Sequence, residues 1–153
     1  PFTRAPHSSD MLYDAVSDPA SLTPTELRAQ YETELAATID AVGVDAVVDR
    51  SGVERDVVAA LADGETPEVT VEDAASILAA GEDAPPKDAI VAELRDHLMM
   101  GMTTAVLDVD RLAAEIDAEV EPKTVQKQVE GRREMTLAEY ARIHHVIAER
   151  NAT

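Results

Sequence analysis

Glu121-Pro122-Lys123-Thr124-Val125-Gln126-Lys127-Gln128-Val129-Glu130-Gly131-Arg132-Arg133-Glu134-Met135-Thr136-Leu137 is where a very acidic chain turns locally basic: from Pro122 to Arg133 there are four basic residues and one acid. Proline is accommodated at the first helical position, Val125 and Val129 fall one turn apart on one face, and Gly131 supplies a left-handed stop. The stretch therefore predicts a helix of two to three turns that buries its valines. Lys123, Gln126, Lys127 and Glu130, at i, i+3, i+4 and i+7, then form an outward polar stripe. A short helix of this kind suits a DNA major groove, where Gln can pair with adenine and Lys with guanine or phosphate.

The neighbouring residues extend the pattern. Val109-Asp-Arg-Leu-Ala-Ala-Glu-Ile precedes the stretch, and Met135-Thr-Leu-Ala-Glu-Tyr-Ala-Arg-Ile follows it. Together they resemble the helix-turn-helix of phage repressors (Cro/Xre type), in which a Leu-Ala helix, a turn, a recognition helix ending in Glu-x-Gly and a hydroxyl-capped helix follow one another. The resemblance spans roughly a third of the chain. It implies an all-α, lambda-repressor-like fold and double-stranded DNA as partner, with Lys123, Thr124, Gln126 and Lys127 in the groove and Arg132 and Arg133 on flanking phosphates.

Composition bounds the alternatives. The 153 residues suffice for one ordinary domain or two small helical ones without staples. There is no cysteine, which excludes disulfides and thiolate metal sites. No apolar run approaches the ~20 residues needed to span a bilayer, and the first residues lack a signal-peptide apolar core, so a cytoplasmic location and no membrane association are expected. Thirteen Lys+Arg against 31 Asp+Glu give a formal charge of -18. Three of the basic residues are Lys, Asp is nearly as frequent as Glu, and large aromatics are scarce. This looks like the protein style of salt-in halophilic archaea, in which charge reports the solvent; the alternative is an acidic mesophilic protein that avoids polyanions by repulsion.

The first half repeats the plan with different surface residues. Residues 1–20 show no period and are expected to form a flexible N-terminal arm. Thr23, Pro24 and Glu26 make a capping box at a helix start, with Leu22 and Leu27 as a hydrophobic staple. Leu27, Tyr31, Leu35, Ile39 and Val42 continue at helical spacing to Gly43. Val44 to Gly64 then reads as helix, Gly52 turn, helix, Gly64 stop, and resembles the helix-turn-helix of lactose-type repressors in backbone pattern only. Where such repressors place DNA-reading side chains, this chain has Glu54, Asp56, Ala59 and Ala60, which offer no base-reading fork and repel phosphate. Thr70 caps a further helix.

Val44–Gly64 corresponds to Val109–Gly131, and Thr70-Val71-Glu72-Asp73 to Thr136-Leu137-Ala138-Glu139, so an internal duplication is expected. The predicted organisation is a first unit with a degenerate helix-turn-helix over 21–84 and a second over 85–153, joined at Gly81–Pro86. The second opens with a helix from about Asp88 to Leu107, whose stripe is Ile90, Leu94, Leu98, Met102 and Ala105. Met99 and Met100 beside it are expected to pack in the core, with a homodimer contact as the alternative. Gly101 within this helix points to close approach of another helix. On the last helix His144 is expected to be a satisfied, half-buried residue, since adjacent His144 and His145 diverge by about 100° and suit no single metal. Asp108 and Asp110 look like a cap and a first-turn acid.

No nucleophile elbow, phosphate-cradling glycine loop or metal signature is present, so neither enzyme activity nor a cofactor is expected. Residues 1–100 hold six basic and 21 acidic residues, and 101–153 hold seven and ten. The expectation is a DNA-binding transcriptional regulator whose second unit reads the groove while the first is structural or dimerising. The competing expectation is a non-enzymatic protein-interaction module that keeps a repressor-like fold without DNA.

Overall fold

A computed structural model describes residues 21–117 and 119–152; the expected arm over 1–20 lies outside the described residues. The described residues form eight helices, α1 (Pro24–Val42), α2 (Val44–Ser51), α3 (Arg55–Ala62), α4 (Val71–Ala79), α5 (Lys87–Ala105), α6 (Val109–Ile116), α7 (Pro122–Val129) and α8 (Leu137–Ala152). The fold is all-α, with no strand among the described residues.

The helix boundaries follow local chemistry. Thr23 Oγ1 accepts the Glu26 N–H at 3.1 Å while Glu26 Oε1 accepts the Thr23 N–H at 2.9 Å, which satisfies two otherwise orphaned donors. Thr136 and Glu139 make the same box at the start of α8. Thr70 and Asp108 cap α4 and α6 by accepting the amides of Asp73 and Arg111. α3 and α7 end in the same motif: Gly64 and Gly131 take φ of 81° and 80°. The residue after each glycine donates back across the last turn, Glu65 N–H to Ala60 O at 2.9 Å and Arg132 N–H to Lys127 O at 2.7 Å.

The order long, short, short, capped helix thus runs twice, but the two halves build one core. α1 packs on α8 and α4 packs on α5, so each half lends its first and last helices to the other. Leu27, Tyr31, Leu35 and Ile39 of α1 and Ile90, Leu94 and Leu98 of α5 are essentially fully buried. Such side chains contribute about 1.5–3 kcal/mol each. The loop at 84/85 separates α4 from α5 in sequence without separating two cores. Where the halves meet, Thr70 and Thr136 form an isolated antiparallel bridge. Val71 N–H donates to Met135 O at 2.7 Å and Leu137 N–H to Val69 O at 2.8 Å, a reciprocal pair between the two capping threonines.

Two expectations about α5 resolve differently. Gly101 is a close approach as expected, since a Cβ there would lie 2.5 Å from Ile147 Cγ2 of α8. The packing expected of Met99 and Met100 is corrected: they are 39% and 71% exposed. They fall outside the stripe of Ile90, Leu94, Leu98 and Met102 that the other helices cover. Val106, which ends α5, is 90% exposed and sits in the left-handed region at φ 55°, costly for a β-branched residue.

At the centre, Tyr31 of α1 and His144 of α8 share a 2.5 Å hydrogen bond between Oη and Nδ1. Burial pushes the phenol far above its usual range and, together with the nearby His97 and His145, lowers His144 to about 3. The proton therefore resides on Tyr31, which donates to a neutral imidazole. His97 and Tyr140 stand edge-on to the same ring. His144 is more deeply enclosed than expected, at 3% exposure.

Candidate nucleic-acid interface

α7 is held by Val125, Gln128 and Val129, all buried. Val125 and Val129 do what their spacing predicts. Gln128 is a polar addition that no apolar pattern reveals: its amide donates to Glu134 O at 3.2 Å and ties the helix to the loop behind it. This anchoring turns Lys123, Gln126 and Lys127 outward, all three exposed, with Thr124 half-buried at their side.

The six residues expected to meet DNA do not behave alike. Lys123 and Lys127 form no ion pair or hydrogen bond among the described residues. Gln126 Nε2 donates to Glu130 Oε2 at 3.2 Å, and Arg132 grips Glu130 Oε1 through Nε and Nη2 at 2.9 and 2.6 Å. These contacts with Arg132 and Gln126 hold the Glu130 carboxyl below its usual pKa. Glu130 thereby occupies one side chain expected to read bases and one expected to meet phosphate. Arg133 lies apart from the α7 row, in a cavity with Arg95 of α5.

Arg95 escaped the sequence reading because nothing local links α5 to α7. Its Nη1 makes a long contact to Glu130 O, 3.4 Å, and a Cβ at position 131 would collide with the guanidinium. Gly131 is required for its positive φ, and the Arg95 guanidinium lies in the space that its missing side chain leaves. Arg142 of α8 borders Val125 and Gln128 from another side and was equally invisible.

Pairing of cations divides the molecule. Arg28, Arg50 and Arg55 of the first half each have a carboxylate partner, as do Arg111, Arg132 and Arg150 of the second. Among the described residues the cations without one are Lys87 and then Arg95, Lys123, Lys127, Arg133 and Arg142, the last five on or around α7. At the matching surface of α3 stand Asp56, Ala59 and Ala60, while Arg55 is held by Asp45 at 2.5 Å.

Beside α7 runs an open groove of ≈ 550 Å³ bordered by Met99, Met102, Val106, Leu107, Gln126 and Val129. No group of three or more His, Asp or Glu among the described residues is placed to hold a metal ion. No described helix is long and apolar enough to cross a membrane.

Residues 27–150 match the family described as a family of unknown function, DUF5791, and with most of its length covered the chain belongs to that family. No curated protein and no solved structure matches it.

Proposed function

We propose that this member of the DUF5791 family is a DNA-binding transcriptional regulator that presents α7 to the major groove of double-stranded DNA. The observation that carries the reading is the pair Lys123 and Lys127, exposed and without a carboxylate partner on a helix whose other side is anchored in the core. The two lysines stand one turn apart on one short helix of a chain with 31 acids. Lys123 and Lys127 contact base edges or phosphate, Thr124 and Gln126 complete the groove contacts, and Arg132 and Arg133 meet flanking phosphates. For Gln126 and Arg132 this requires release from Glu130, so the lysines contribute most. The resemblance to phage-repressor helix-turn-helix domains supports the same assignment, and α3, with Asp56 exposed and Ala59 and Ala60 half-buried, serves as scaffold.

The acidity fits a protein that works in concentrated salt, where the screening length shrinks to ~3 Å and the acidic first half repels DNA only at close range. The same salt weakens phosphate-driven affinity, which leaves base contacts and burial to supply more of it.

The test is fluorescence anisotropy with genomic fragments in high KCl, comparing the chain with its Lys123→Ala/Lys127→Ala variant. Retained binding of a subset of fragments, lost at least ten-fold in the variant, is the expected result. If no fragment binds, or the variant binds equally well, the reading fails. The competing reading, a protein-interaction module, is favoured by one feature: the apolar Met99 and Val106 exposed along the groove beside the same helix.

A further inference from the structure

Behind the turn that ends α7, a cavity of ≈ 200 Å³ opens between the start of α4, the middle of α5 and the α7–α8 loop. Its floor is apolar: Val71, Met135 and Tyr140 are buried and Val91 is half-buried. The buried Gln128 forms part of the wall, with its amide nitrogen already engaged by Glu134 O.

Arg95, Arg133, Glu72 and Glu134 line this opening, and none of the four forms an ion pair among the described residues. For the two arginines this contrasts with the six others that have carboxylate partners. Opposite charges that line one opening yet do not meet leave space between them for a molecule that carries both signs. Arg95 lies over Gly131, which leaves its guanidinium at the edge of the opening.

We propose that this cavity binds a small zwitterion of the α-amino-acid class. The carboxylate pairs with Arg95 and Arg133, the ammonium with Glu72 and Glu134, and an apolar side chain rests on Val71, Val91 and Met135. A simple oxyanion would satisfy the arginines and be repelled by both glutamates; a simple amine meets the reverse problem. The volume is below the ~300 Å³ at which pockets for drug-sized ligands begin, which restricts the occupant to a molecule of about this size. The site stands whether or not α7 meets DNA.

The experiment is a thermal-shift screen of the full chain, without DNA, against the common L-amino acids. Calorimetry then follows on the best ligand, its deaminated acid, its decarboxylated amine and inorganic phosphate. The expected result is saturable binding of at least one apolar amino acid, at least ten-fold weaker binding of the acid and of the amine, and a loss of ten-fold or more in each of Arg133→Gln and Glu134→Gln. Both positions are exposed, and circular dichroism checks that the variants stay folded. Binding of phosphate or the deaminated acid as tight as that of the amino acid would make this a plain oxyanion site and overturn the proposal. So would the absence of millimolar binding for every amino acid, or variants that bind undiminished.

Discussion

α3 with Gly64 and α7 with Gly131 share one backbone design and carry opposite surfaces. Both are eight-residue helices that end in the same glycine-terminated turn. Inside, Val58 and Val125 are equally buried. Outside, Asp56, Ala59 and Ala60 occupy the places that Lys123, Gln126 and Lys127 take in α7. The difference teaches that backbone shape here is set by a few buried and capping positions, which leaves the outer face free to diverge. It also isolates a second contrast: the residue that ends the long helix is Gly43 in the first half and Val106 in the second, both at positive φ.

The comparison presumes a common core, and acid is the strongest way to break that core. His144 is neutral in the folded state, with a pKa lowered to about 3 by burial and by His97 and His145, against 6.5 for the free side chain. Between those values the unfolded chain binds the extra proton, so stability falls as pH drops below about 6.5, by roughly 1.4 kcal/mol per pH unit at the steepest. Tyr31 from α1, His97 from α5 and Tyr140 from α8 face the ring, the neighbouring His145 adds like charge, and none of these is a carboxylate that could offset it. Urea unfolding from pH 7 to 4 should show this slope reduced in His144→Gln; equal slopes in both proteins would remove His144 as the cause.

Next in size is the inner face. Leu61 stands where α7 has Gln128, and both are buried. Gln128 has Glu134 O as an acceptor, whereas Leu61 is 1% exposed and part of the hydrophobic core. Leu61→Gln should cost about 3 kcal/mol in urea unfolding, an unpaired buried amide added to lost packing. A cost under about 1 kcal/mol would mean the two inner faces are interchangeable after all. The smallest effect is at the helix ends. Val106→Gly should stabilise by about 1 kcal/mol, because a left-handed backbone is costly for valine and its exposed side chain gives up little burial. Unchanged or lowered stability in thermal unfolding would show that Val106 is held in place by contacts of its own.

The elements were legible because their signals are local. Thr23-Pro24-x-Glu26, Thr136-x-x-Glu139, Gly52, Gly64 and Gly131 fix starts and stops within a few residues, and the stripes on α1 and α5 name their own core faces. What joins distant segments left no such trace. Tyr31 meets His144, and Arg95 meets the end of α7, across long intervals of chain that no spacing rule covers. Met99 and Met100 misled because apolar character alone does not reveal whether another helix will cover it. At the candidate site the sequence located α7 and its outward row. It could not show that Glu130 occupies Gln126 and Arg132, since that depends on side-chain rotamers around one turn.

The crossed hydrogen bonds at Thr70 and Thr136 make the two halves each other's witnesses. The amides of Val71 and Leu137 borrow their acceptors from the opposite half, so neither can trade its proton for deuterium until the halves part. They should be among the slowest amides to exchange, and at the same rate. Neither helix start is complete in a fragment cut at the middle of the chain, so the repeated order of helices does not divide into independent pieces.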